Sequence, residues 1–253
     1  VTGDRLVLAA GTGESAAVRR LLDRGVSADA PDAYGSTALY RAAVHGDAAI
    51  VRMLLAAGAD PDRESGGDSE GLPLCAAACW GHAEAVGALL DAGADPDRRE
   101  DGEGSAMTAL HWAAANGHLA VVTALLERGA TPDPPAPGRT PLAHAAEKGL
   151  PAVVRALLGH GADPTAADDR GLRPADLARR HVGHDVEAGL RDQAAAYAPP
   201  GARVRLRRER GEGGDERVVA EVRDADGDPR SEHWLGTGHA EVVRLLEEAT
   251  RTP

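Results

Sequence analysis

Phenylalanine is absent from this 253-residue sequence, and tyrosine and tryptophan contribute three residues each, so aromatics make up only 2% of it. A conventional globular core draws much of its buried area from such rings. Alanine, by contrast, supplies roughly a fifth of the chain, which argues for many thin contacts between closely approaching Ala-rich helices rather than one thick core. Cysteine is nearly absent too: two residues provide no disulfide framework, and the chain reads as intracellular. No apolar run approaches the ~20 residues of a membrane span. The first residues lack the basic start and apolar stretch of a signal peptide, so a cytoplasmic location is expected. Lysine occurs once, at Lys148, and the other basic residues are Arg. With abundant Ala and Gly this suggests a GC-rich, bacterial genome, and Val1 in the place of Met fits a GTG start or a trimmed chain. Acidic residues outnumber basic ones 40 to 28, a net charge of −12. Duplex nucleic acid and anionic membranes call for the opposite balance, so the expected partner is a protein, neutral or basic.

What is present is a repeat of about 33 residues. A first Gly recurs at Gly13, Gly46, Gly81, Gly117 and Gly149, a Leu pair at Leu21/Leu22, Leu54/Leu55, Leu89/Leu90, Leu125/Leu126 and Leu157/Leu158, and a second Gly at Gly25, Gly58, Gly93, Gly129 and Gly161. Local chemistry divides each period into two helices and a turn. In one period Thr37 is an N-cap for a short helix of small residues ending near Gly46. A second helix carries Ile50, Val51, Leu54 and Leu55 at helical spacing and stops at Gly58. Gly-Ala-Asp-Pro-Asp then breaks the helix, because Gly accepts left-handed backbone and Pro cannot continue the hydrogen bonds.

These residues resemble the ankyrin repeat. Thr108-Ala-Leu-His-Trp-Ala-Ala-Ala-Asn-Gly-His118 follows that family's Thr-Pro-Leu-His pattern almost completely, Leu72 to His82 and Thr140 to Gly149 follow it well, and Thr37 to Gly46 departs mainly in Tyr40 at the His position. The resemblance implies a mainly α fold, an ankyrin-repeat solenoid of helix-turn-helix pairs joined by hairpin loops. The expected ankyrin domain covers 1–194, with repeats near 4–31, 32–64, 65–98, 99–133, 134–167 and 168–194. The first and sixth act as caps, since a terminal repeat is covered on one side only. The sixth has one residue extra before Gly183-His184 and a weak second helix. Departures from the pattern concentrate in the hairpins 63–71, 98–104 and 133–138, and exposed variable loops are where binding specificity usually sits.

Residues 195–253 follow a Pro-Pro-Gly linker. Arg203-Val-Arg-Leu-Arg207 alternates, Gly211 to Gly214 can turn, and Arg217 to Arg223 is rich in strand formers, which predicts a β-hairpin. Its apolar face, Val204, Leu206 and Val219, needs something to pack on, since a lone hairpin is marginal in water. Gly238-His-Ala-Glu-Val-Val-Arg-Leu-Leu-Glu-Glu248 resembles the second half of an ankyrin repeat, and His233-Trp234 looks like His111-Trp112. A degenerate repeat or capping helix interrupted by a hairpin is one reading, and a small separate module is the other.

Catalytic, cofactor and metal sites are not expected. Cys75 and Cys79 lie one helical turn apart, but zinc needs about four ligands and no second Cys pair exists. His181 and His184 likewise lack a completing carboxylate pattern. Asp224-Ala-Asp-Gly-Asp228 departs from a calcium loop at Pro229 and Leu235 and reads as a turn. Neither a phosphate loop nor a Gly-x-Ser-x-Gly nucleophile motif occurs. Arg203, Arg205 and Arg207 form one strand face, and the nearby acids Glu209, Glu212, Asp215 and Glu216 favour a solvated face over a phosphate site. The resemblance implies that His82, His118 and His239 tie neighbouring loops together.

It also implies where a partner binds: hairpin tips and the exposed end of each first helix. The hairpin positions are Tyr34, Ser36 and Arg139. The helix positions are Arg41, Val44 and His45; Cys79 and Trp80; Trp112 and Asn116; and His144, Glu147 and Lys148. Trp80 stands out, because an exposed Trp is costly without a partner and Trp is enriched at hot spots; shielding of the Ala-rich helices is its alternative role. The expected function is a non-enzymatic scaffold or adaptor that holds a partner protein on a preorganised concave surface. Alternatives are an inhibitor or immunity-type protein of a basic partner, or a small enzymatic or ligand-binding role for the C-terminal part through Asp228, His233 and Trp234.

Overall fold

The computed structural model describes residues 2–66, 70–100, 106–134 and 138–251. Parts of the three variable hairpins, residues 67–69, 101–105 and 135–137, lie outside these. The chain divides into two compact units, residues 1–137 and 138–253.

The first unit holds four helix pairs: α1 (Thr2–Gly11) with α2 (Ser15–Asp23), α3 (Ala38–His45) with α4 (Ala48–Ala56), α5 (Pro73–Cys79) with α6 (Ala83–Asp91), and α7 (Ala109–Asn116) with α8 (Leu119–Glu127). The first helices pack in series from α1 to α7, and the second helices do so from α2 to α8. Local chemistry sets the ends. The Thr37 hydroxyl accepts from Tyr40 N at 3.3 Å and Asp47 accepts from Ile50 N at 3.0 Å, so each helix of that pair has a side-chain N-cap. Gly46 and Gly117 close α3 and α7 with φ of 69° and 76°. Small side chains make the interior thin: Ala42, Ala43, Ala77, Ala78, Ala113 and Ala114 are fully buried, with Leu39, Leu54, Leu89, Leu110 and Leu125 filling between them. Aspartates of the turns that follow the second helices form a ladder. Asp29 accepts from Asp60 N at 3.2 Å, Asp62 from Asp95 N at 3.1 Å and Asp97 from Thr131 N at 2.9 Å, each joining one turn to the next.

The second unit opens with α9 (Pro141–Lys148) and α10 (Pro151–Gly159), followed by α11 (Pro174–Arg179) packed on α9. Then come α12 (Val186–Ala196), strands β1 (Arg203–Arg210), β2 (Glu216–Arg223) and β3 (Pro229–Gly236), and α13 (His239–Ala249). The sequence places the weak second helix of the sixth repeat after Gly183-His184. That helix, α12, instead lies against the sheet, and α13 takes the position beside α11, α10 and α9. The landmark Gly-His is accordingly Gly238-His239, not Gly183-His184. His239 Nε2–H donates to Glu147 O at 2.9 Å, matching His82 to Val44 O and His118 to Cys79 O, both 3.0 Å, in the first unit. Joining His181 directly to Gly238 would restore the spacing of Thr140 to Gly149, so residues 182–237 interrupt a helix pair at the end of its first helix. The domain boundary expected at 194/195 therefore falls inside this interruption.

The interruption has its own small core. The predicted hairpin is there, but β3 joins it, giving an antiparallel sheet in the order β1-β2-β3. Val204 stands opposite Val222 and Leu206 opposite Ala220. That face packs on Leu190 and Ala194 of α12 and answers the need of the hairpin for cover. Val219 points the other way, opposite Trp234 of β3, and is 2% exposed. His233-Trp234 is thus strand, unlike the helical His111-Trp112 it resembles. β3 escapes local reading because Pro-Arg-Ser-Glu-His has little strand propensity, and pairing with β2 imposes the conformation.

Candidate protein-binding surface

In the first unit the large exposed apolar side chains are Tyr34 at 82%, Leu8 at 66% and Trp80 at 63%. Tyr34 sits on the turn between α2 and α3, which Asp32 organises by accepting from the N–H groups of Tyr34 and Ser36 at 2.8 and 2.9 Å. A cleft of about 550 Å³ lies beside it, lined by Asp4, Leu8, Thr12, Tyr34, Ser36 and Arg41 among others. Arg41 reaches Glu70 at 3.4 Å. Trp80 is the C-cap of α5, with its N–H bonded to Ala76 O at 3.2 Å while the ring stays in solvent. Its shielding role is therefore not what the structure displays.

The remaining expected contact residues of this unit divide. His45 is exposed and Val44 half-buried. Ser36 is buried at 6%, so its hydroxyl is poorly placed for a partner. Cys79 is half-buried, and Asn116 Nδ2 donates to its sulfur at 3.7 Å and to Trp112 O at 3.0 Å. Trp112 is half-buried, its indole N–H donating to Glu100 at 3.0 Å. Burial, with Glu70 and Glu100 nearby, pushes the Tyr40 phenol up to about 12. Cys75 is buried and its thiol pushed well above the ordinary value, chiefly by desolvation, which makes it unreactive. Among the described residues no group of three His, Cys, Asp or Glu converges as a metal site would require.

In the second unit the expected contact positions are engaged by the chain itself. Arg139 bridges Glu147 and Asp168. His144 is half-buried, and desolvation holds its imidazole below the ordinary range. The Lys148 ammonium stands 4.7 Å from the centre of the Trp234 ring and donates to Trp234 O at 3.4 Å. Arg217 approaches the same ring at 5.2 Å. Trp234 thus covers Lys148, a pairing 86 residues apart in the chain that nothing in the local sequence announces. The repeat landmarks do not point to Leu8 either. Helical spacing could have found it, since it stands out of phase with buried Leu6, Ala9 and Ala10.

A model for ankyrin repeats matches residues 4–65 and 74–168, more than half of the chain and all of the helix pairs that the repeat landmarks mark out. The chain belongs to the ankyrin-repeat family. Among solved structures, the ankyrin repeat domain of human ASB11 is similar at 30% identity with a TM-score of 0.61, over 68% of this chain and 75% of that one. No curated protein matches the chain. Ankyrin repeats are typically non-enzymatic modules that bind other proteins, and no helix among the described residues is long and apolar enough to cross a membrane.

Proposed function

We propose that this ankyrin protein is a non-enzymatic adaptor of six repeats, the sixth interrupted by residues 182–237, which binds a partner protein through the first unit. The observation that carries the reading is Trp80, left 63% exposed at the end of α5, on a helix whose other residues through Ala78 are buried. Tyr34 and Leu8 add exposed apolar surface beside a cleft, and a rigid stack of repeats loses little entropy on association. Arg41, Val44 and His45 on α3, with Cys79, Trp112 and Asn116, contribute the surrounding contacts. Arg139, His144, Glu147 and Lys148 form a second, largely self-occupied group. The net charge of −12 favours a partner with a basic region. A bacterial cytoplasm is the setting that suits the composition.

Affinity purification with mass spectrometry tests the reading. Trp80→Ala and Tyr34→Ala should each lose a protein that wild type retains, whereas Tyr197→Ala, a control at an exposed aromatic just after α12, should not. Identical capture by all four proteins would remove the first unit as the binding surface.

A further inference from the structure

The sheet of the second unit has one face packed on α12 and another that carries Arg203, Arg205 and Arg207 on β1, with Arg223 and Glu221 beside them on β2. Acids near in sequence suggest that these arginines are neutralised, but Glu209, Asp215 and Glu216 form no ion pair with Arg203 or Arg205. Asp215 accepts from Ala152 N at 3.0 Å at the start of α10, Glu216 pairs with Arg210 at 3.7 Å, and Glu209 pairs with Arg217 at 2.7 Å and with Arg207 at 3.5 Å. Arg207 is held by Glu232 at 3.0 Å, and Arg223 by Glu221 at 2.6 Å. Arg203 and Arg205, both exposed, make no ion pair or side-chain hydrogen bond among the described residues, although Arg205 stands opposite Glu221 and feels its charge. Arg203 moreover stands directly opposite Arg223 in the strand register. Like charges in that position repel, so this end of the sheet stores unfavourable electrostatic energy that an anionic group would relieve. β1 is also an edge strand, with sheet partners on one side only.

We propose that this edge docks an acidic, extended segment of a partner protein, added beside β1, with carboxylates at alternate positions meeting Arg203 and Arg205. The spacing suits that occupant, since alternate residues of a strand lie about 7 Å apart on one face. Single-stranded nucleic acid fits less well. The one aromatic on this face, Trp234, already has Lys148 and Arg217 against its ring rather than offering a base-stacking platform. The site is separate from the helix surface of the first unit and does not depend on it.

Fluorescence anisotropy on the full chain tests the proposal, with a labelled octapeptide of alternating Glu and Val as probe, the corresponding Lys-Val peptide, and octathymidylate. Wild type should bind the Glu-Val peptide saturably, more weakly at high salt, and should not bind the Lys-Val peptide. R203E/R205E should weaken binding by about tenfold or more, as expected for losing two charge-assisted contacts. R24E/R52E, with the same change in net charge on exposed arginines of the first unit, should bind as wild type. Thermal melts check that each variant is folded, and R203Q/R205Q replaces the reversal variant if that one is not. Absence of saturable binding by wild type, an equal loss in R24E/R52E, or tighter binding of octathymidylate would overturn the proposal.

Discussion

At the scale of single residues, the repeat histidines and glycines act as one device. An added Cβ at Gly81 would stand 2.5 Å from the His118 ring, and one at Gly149 would stand 2.6 Å from His239. The ring can reach the preceding repeat's carbonyl only because the glycine has no side chain. Gly93 has an equally left-handed φ, 91°, but open space around its Cα. Gly93→Ala should therefore cost only the left-handed conformation, about 1–2 kcal/mol. Gly81→Ala should cost at least ~1 kcal/mol more, because the half-buried His118 ring must shift and its hydrogen bond is lost. Chemical denaturation of the two variants side by side measures the difference. The histidines also set a pH dependence. Desolvation, the largest cause in each case, holds His144, His181 and His239 below their ordinary 6.5. As pH falls the unfolded chain takes up these protons first, so stability is full above about 6.5 and declines below it. Melting temperature should fall between about pH 7.5 and 5.5, and His239→Gln should flatten that slope.

At the scale of elements, the interruption and the helix that follows it make different contributions. Val242 and Leu246 of α13 are fully buried, and α13 covers α10 and α11. Truncation after residue 237 should strip that cover and lower the melting temperature sharply. Deletion of 182–237 restores the repeat spacing and should leave a helical, cooperatively unfolding protein with a smaller loss. Circular dichroism melts of the two deletions check the order, and the reverse order would refute the assignment of α13 to the helix pair of α11. Asp215 links the interruption to the repeats by supplying the N-terminal acceptor that α10 lacks, since its own N-cap residue is Leu150. Asp215→Ala should cost about 1 kcal/mol, measured by denaturation of the full chain.

At the scale of the whole molecule, part of the excess of acid has a structural task. Asp29, Asp62 and Asp97 are acceptors in the ladder between turns, and Asp32 and Asp224 organise turns of their own. Their charge still adds to the field around the protein, so capture of a basic partner should weaken as ionic strength rises from low to physiological. Capture indifferent to salt would count against an electrostatic contribution.

Much of the helical architecture was legible because it is local. Thr at the N-cap, small residues through the first helix, the Leu pair and Gly at each end act within a few residues, and the scarcity of aromatics already excludes a thick core. Exposure of Tyr34 and Trp80 followed from their places in that repeat. The sequence by itself could not decide which of two Gly-His pairs belongs to the last helix pair, because both His184 and His239 satisfy the local pattern and only packing against α9 and α10 selects His239. Nor could it decide that Ser36 is buried, that β3 joins the hairpin, that Trp234 covers Lys148, or that Asp215 serves α10 while Arg203 and Arg205 stay unpaired. Each of these depends on groups far apart in the chain, whose meeting is a property of the tertiary fold.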